Sequence, residues 1–264
     1  MYYHFMISIS SYFNNRYQIL FQEIKKQICI QEIPNTKDIW VRDFMPIRNS
    51  KGKWILFKYF PKYLQNPKFH HLISDNQTIC KDLGIEYEYV DIIMDGGSVV
   101  YKNDLYFVSE RVFTDNPKLS KEKITEILKE KLATENLHFL PAMEKDFTGH
   151  LDGVLYIIDD NRILINDGQD EYTENLKVRL KDLGFTIEFL PYNPCQNKTY
   201  QSARGIYINF IETDSKILLP IFKLPEDEMA MKKLEKVFPN KEICPIDCND
   251  LAKEGGLLHC ISWD

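Results

Sequence analysis

The sequence predicts an α/β protein built from five repeats of a ββαβ unit, arranged as a five-bladed pseudosymmetric propeller that the C-terminal strand closes. Three observations predict it. Two segments echo each other, KDLGIEYEYV from Lys81 and KDLGFTIEFL from Lys181, and each ends a helical pattern on glycine before opening a strand. Polar motifs recur at intervals of roughly 50–60 residues, a period typical of arrays and propellers. Five such intervals fill the 264 residues, which read as one domain spanning 1–264.

The elements follow in order. The first unit has a strand near 3–9, a helix near 12–27 with Phe13, Tyr17, Leu20, Phe21 and Ile24 on one face, and a strand near 28–33. The second opens at WVRDFMPIRNSKGKWILFKYF, a strand pair turning at Ser50-Lys51-Gly52. The third opens at MDGGSVVYKNDLYFV, turns at Lys102-Asn103-Asp104, and carries a helix over 121–132 with Ile124, Ile127, Leu128 and Leu132 in helical spacing. The fourth, GHLDGVLYIIDDNRILIND, turns at Asp159-Asp160-Asn161 and leads to a helix presenting Leu176, Leu180 and Leu183. The fifth, ARGIYINFIETDSKILLPIF, turns at Thr213-Asp214-Ser215 before a helix over 227–238. The first unit lacks its opening strand, and the tail CISWD supplies it, which places Cys260 in a central strand beside the start of the chain.

In a closed ring every unit begins at the axis, so the opening motifs converge. Asp43, Asp95, His150 with Asp152, Asn209 and Cys260 hold equivalent places in successive units and are expected to share one site. Each motif alone has a plainer explanation. Arg42-Asp43 near a proline makes a turn with a local ion pair; Asp95-Gly96-Gly97 is a turn feeding a strand; a lone cysteine is usually a small buried hydrophobe. His150 and Asp152, two apart on an extended segment, point to one side, whereas strand alternation turns His259 away from Cys260. The recurrence at one period is what gives them weight together.

Composition narrows the function classes. With 33 basic and 39 acidic residues the net charge is −6, and no basic stripe offers a footprint for nucleic acid. No run approaches the ~18 apolar residues of a membrane span, and the start lacks the features of a signal peptide. The six cysteines are scattered, which fits a reducing, cytoplasmic setting; Cys244 and Cys248 alone are too little for zinc. No metal is expected.

Two carboxylates, an imidazole and a thiol suit attack on a cationic carbon. A guanidinium is planar, permanently charged and rich in N–H donors that carboxylates accept in pairs. Asp43 and Asp152 are placed to grip it, Cys260 to attack its carbon as a thiolate, and His150 to protonate the departing nitrogen and then activate water.

Taken in order, WVRDFMP, MDGGS, GHLDG, YINF and GGLLHC resemble the motif series of the agmatine deiminase and bacterial-type peptidylarginine deiminase family, within the pentein, guanidino-group-modifying superfamily. The match runs from about Trp40 to Trp263. The resemblance implies a fivefold ββαβ propeller and cofactor-free hydrolysis of a small cationic guanidine, agmatine foremost, to a ureido product and ammonia. Carried over by motif, Cys260 is the nucleophile, His150 the general acid and base, and Asp43 and Asp152 the guanidinium-holding acids, with Trp40, Asp95 and Asn209 lining the substrate site. Two positions depart from the family pattern: Met45 stands where glycine is usual, and Asp95 where glutamate is. The competing readings are a peptidylarginine or arginine deiminase, an amidinotransferase, a non-catalytic binding member of the superfamily, and a metal hydrolase using His150, Asp152 and a cysteine.

Overall fold

The computed structural model describes residues 6–143, 146, 148–193 and 202–264. Among the described residues five three-stranded sheets form, one per repeat. The first unit contributes β1 (Ile7–Ser10), α1 (Ser11–Arg16), α2 (Gln18–Gln27) and β2 (Ile30–Ile33). The second contributes α3 (Val41–Phe44), β3 (Ile47–Arg48), β4 (Trp54–Lys58), α4 (Asn76–Asp82) and β5 (Tyr87–Ile93). The third has β6 (Val99–Lys102), β7 (Leu105–Ser109), α5 (Arg111–Asp115), α6 (Lys121–Leu132) and β8 (Leu137–Leu140). The fourth has β9 (Leu155–Ile157), β10 (Arg162–Asn166), α7 (Glu171–Asp182) and β11 (Thr186–Leu190). The fifth has β12 (Ile211–Glu212), β13 (Lys216–Ile221), α8 (Glu226–Val237) and β14 (Glu242–Asp247), and β15 (Ser262–Trp263) follows it.

One pairing rule holds throughout. In units two to five the first strand is antiparallel to the second, and the second is parallel to the third, as a hairpin followed by a helical crossover requires. In the first sheet β15 takes the opening place, antiparallel to β1 with Ser8 opposite Trp263 and Ile9 opposite Ser262. The tail therefore supplies the missing strand, but that strand begins at Ser262. Cys260 itself lies in a turn over 258–261, in which Ile261 N–H donates to Leu257 O, not in a central strand as the sequence suggested.

Local chemistry explains the elements. Ser10, Asp75, Ser120 and Asp170 each cap a helix by accepting an N–H three residues on. The two KDLG copies end their helices in the same way. Gly84 and Gly184 take φ of +67° and +90°, and Ile85 and Phe185 donate back to Cys80 and Leu180. The expected helix over 12–27 is interrupted at Tyr17, whose backbone leaves the helical region while its hydroxyl donates to Glu254. The strand expected near 3–9 starts at Ile7, and its first residues fall outside those described.

Each small sheet must bury its apolar faces against other elements, and the packing between units provides much of that burial. One apolar cluster joins Ile33 of the first unit to Val41, Phe44, Leu56 and Ile79 of the second. A second joins Ile55, Phe57 and Val90 to Tyr106, Val108, Ile124 and Leu128 of the third. A third joins Phe107 and Leu140 to Leu155, Ile163 and Leu176 of the fourth. The largest joins Leu164 and Leu190 of the fourth to Leu218 and Leu234 of the fifth, and these to Ile9, Phe13 and Phe21 of the first. Each fully buried side chain of this kind contributes about 1.5–3 kcal/mol.

Candidate active site

Asp43 sits on α3, a single turn of helix too short to show a period in sequence. The turn sends neighbours apart. Arg42 goes into the protein, where its guanidinium donates to Asp264 Oδ1 at 2.7 Å, while its own N–H donates to Cys260 O at 3.1 Å. Asp43 faces the other way, 7% exposed, and its Oδ1 accepts from Gly97 N–H at 3.2 Å. Tyr63 O–H donates to its second oxygen, Oδ2, at 3.3 Å.

Gly97 is the joint between motifs. Its carbonyl accepts from Leu151 N–H at 2.9 Å and Asp152 N–H at 3.2 Å, which fixes the turn carrying His150 and Asp152. A Cβ on Gly97 would lie 2.6 Å from His150 Nδ1 and 2.9 Å from Asp43 Oδ1, closer than real Cβ atoms come. Gly97→Ala is therefore expected to push both groups out of place. We expect kcat/KM to fall about 10²-fold or more with the fold retained, as judged by circular dichroism beside ammonia release.

His150 Nε2 lies 3.2 Å from Asp95 Oδ2, and Nδ1 lies 3.6 Å from Asp43 Oδ1. Asp95 thus meets the imidazole at Nε2 and is not among the residues that line the cleft described below, unlike the substrate-lining place expected for it. Asn209 organises the far side. Its Oδ1 accepts from the N–H groups of His259 and Cys260 at 3.1 and 3.3 Å, and its Nδ2 lies 3.1 Å from Cys260 Sγ. Asp152 completes the cluster at 5% exposure. Its Oδ2 is 3.4 Å from Cys260 Sγ and 3.0 Å from His259 Nδ1. His259, expected to point away, meets the same carboxylate oxygen as Cys260 because the two sit on a turn, where neighbouring side chains do not alternate as they do in a strand.

The charges are set by burial and by each other. Burial opposes a proton on His150, but the carboxylates of Asp43, Asp95 and Asp152 outweigh it and hold the imidazole pKa far above its usual value. Burial pushes the Asp43 carboxyl up, with His150 pulling the other way. Asp152 is held low despite its burial, chiefly by the hydrogen bond from His259. Burial, then the charges of Asp152 and Asp43, push the Cys260 thiol well above its ordinary range. These shifts favour an imidazolium at His150 and a protonated thiol at Cys260.

Asp43, His150, Asp152, Asn209 and Cys260 line an open cleft of about 1380 Å³. Trp40 lines one wall, its ring against Gly256, where a Cβ would come within 2.5 Å of Cζ3. Tyr63, Leu64, Phe69 and Leu72 line another. The acidic residues Asp38, Asp146, Asp170, Glu171 and Glu254 also line it, with Arg16. The arrangement can hold a planar cation between acids with its carbon over a sulfur. Of the sequence-expected residues, Asp43, Asp95, His150, Asp152, Asn209 and Cys260 meet in one cluster, joined by hydrogen bonds, by the His150–Asp43 charge contact and through Gly97, with Trp40 beside it. Sequence reasoning missed Tyr63 and misjudged His259. Among the described residues no group of three or more histidines, cysteines or acids is arranged to hold a metal ion, and no helix is long and apolar enough to cross a membrane. The five described cysteines are free thiols; Cys195 lies outside the described residues.

The profile of the Porphyromonas-type peptidyl-arginine deiminase family matches residues 11–264. The chain belongs to this family. A Mycoplasma capricolum protein provisionally named an agmatine deiminase is 26% identical over 300 residues, which cover 95% of this chain and 79% of that protein. The solved C. jejuni agmatine deiminase superposes with a TM-score of 0.80 at 23% identity, covering 98% of this chain and 92% of the other. The agmatine deiminase of Enterococcus faecalis gives a TM-score of 0.75 at 18% identity, covering 98% and 92%. This α/β fold is shared with those structures.

Proposed function

We propose that this chain is a cysteine-dependent deiminase that hydrolyses agmatine to the ureido product and ammonia. The observation that carries the reading is the meeting of Cys260 Sγ with Asp152 Oδ2 at 3.4 Å, in one cluster with Asp43, Asp95 and His150 drawn from separate repeats. Asp43 and Asp152 accept the guanidinium N–H groups from two sides, which fixes the carbon over the sulfur. The arriving cation offsets the negative charges that keep the thiol protonated, so the thiol releases its proton to water and the thiolate forms when substrate is present. Attack on the carbon gives a tetrahedral adduct. His150, with Nε2 tied to Asp95, donates from Nδ1 to one amino group, which leaves as ammonia and yields a thiouronium bound to Cys260. The neutral imidazole then takes a proton from water as it attacks. Collapse expels the thiolate and leaves the ureido carbonyl.

The reading treats the chain as one domain whose five sheets are blades of a single ring. The run of apolar clusters from each unit to the next, and from the fifth back to the first, supports closure through β15. The relatives named as agmatine deiminases support the substrate, as does a cleft whose charged lining residues, Arg16 and His150 aside, are all carboxylates, which favours a second positive charge over a carboxylate on the substrate's far end. The size of the cleft and the family description favour one second reading, a guanidine carried on a peptide.

A panel of agmatine, arginine and an arginyl peptide, assayed for ammonia and ureido product, separates these. We expect kcat/KM for agmatine to exceed that for arginine at least about tenfold. Greater activity on the arginyl peptide would replace the substrate assignment, and transfer to an added amine without ammonia release would make the protein an amidinotransferase. Silence across the panel would refute a deiminase altogether.

A further inference from the structure

We propose that Tyr63 is a positioning residue for the site, holding Asp43 in the rotamer and ionised state that grip the substrate, with Tyr59 directing its hydroxyl. The inference rests on the reading of Asp43 as a guanidinium-binding acid. Tyr63 lies on a short 3-10 turn, Lys62–Leu64, in the connection between β4 and α4, and no motif marks it. Its O–H donates to Asp43 Oδ2 at 3.3 Å, the oxygen that Gly97 does not hold. Tyr59 O–H lies 3.2 Å from Tyr63 O–H. With the Tyr63 proton committed to Asp43, Tyr59 must donate to the Tyr63 oxygen, and the two hydroxyls form a polarised chain ending on the carboxylate. Tyr59 is anchored edge-on to Phe44, the residue after Asp43, with ring centroids 5.8 Å apart.

The contact has a consequence for ionisation. A buried carboxyl prefers its proton, and a hydroxyl donating to the anion opposes that preference. Facing Asp43 are His150, Asp95, Asp152, Cys260, Tyr59 and Tyr63. Both phenols titrate well above their ordinary range because they are buried, so they remain donors at any working pH. Asp95 and Asp152 add to the cost of charge on Asp43, and His150 and Gly97 N–H relieve it. Tyr63 supplies relief at the one oxygen those two leave, without occupying all its acceptor capacity, since each carboxylate oxygen accepts two hydrogen bonds. A guanidinium N–H can therefore join Tyr63 on Oδ2.

Tyr63→Phe removes the donor and keeps the ring. The Asp43 carboxyl is followed by ¹³C NMR in aspartate-labelled protein between about pH 5 and 9 with no guanidine present, and kcat and KM for agmatine are measured over the same range. A hydrogen bond to a charged group corresponds to about tenfold or more in affinity. We expect Tyr63→Phe to move the Asp43 midpoint up by about one pH unit and to raise KM about tenfold near the acidic end. That difference should shrink at alkaline pH, where Asp43 is ionised without help, and kcat should change less than about threefold. Tyr59→Phe should do the same more weakly, and it carries the test if Tyr63→Phe does not fold. An Asp43 titration unmoved by either change, or a KM penalty equal at every pH, overturns the proposal. If the parent protein releases no ammonia while the Asp43 titration still follows Tyr63, the deiminase reading falls and the positioning contact stands.

Discussion

Cys260→Ala abolishes ammonia release from agmatine, a loss of at least about 10⁵-fold in kcat, because among the described residues lining the cleft Cys260 is the only thiol. The substitution spares the framework. Asn209 Oδ1 accepts from the backbone of residues 259 and 260, and β15 pairs with β1 beyond the turn, and neither depends on the sulfur. Substrate binding survives for the same reason, since Asp43 and Asp152 remain. Agmatine should bind the alanine protein within about tenfold of KM while turnover vanishes, measured by calorimetry beside the ammonia assay. Turnover at the parent rate would remove the thiol from the chemistry.

Asp152→Asn has the second largest effect, for a different cause. The asparagine fits, but an amide nitrogen placed toward His259 Nδ1 and the guanidinium meets donors with a donor, and the charge that holds the cation is gone. We expect kcat/KM to fall about 10³-fold, of the order found when an electrostatic stabiliser is removed from an active site. The thiol moves the other way. The Asp152 charge is one of the reasons Cys260 holds its proton, so its removal lowers the thiol pKa. Near neutral pH the asparagine variant should therefore react faster with iodoacetamide than the parent while being far poorer as a catalyst. A variant damaged only in its folding would not show that opposition.

Much of this was legible in the sequence because it is periodic. The paired turns, the helices at 121–132 and near 226–237, and the KDLG stops carry hydrophobic spacing and glycine signals strong enough to set the unit, and the unit sets where the motifs fall. Convergence of Asp43, His150, Asp152, Asn209 and Cys260 followed from equivalence of position, not from any single motif. Short-range geometry was not legible. Alternation along a strand separated His259 from Cys260 on paper, but residues 258–261 form a turn and both side chains reach Asp152. Asp95 was expected against the substrate, yet the short acid meets His150 at Nε2. Tyr63 carried no signal, as one of 15 tyrosines in a connection without a period; only its place four residues after Tyr59 pairs the two hydroxyls.

The most direct test is to stop the reaction with acid in the first turnovers on agmatine and map any adduct by mass spectrometry. An amidino adduct on the peptide containing Cys260, appearing before ureido product and absent from Cys260→Ala, is the predicted result. Ureido product accumulating at the full rate with that peptide unmodified throughout would contradict it.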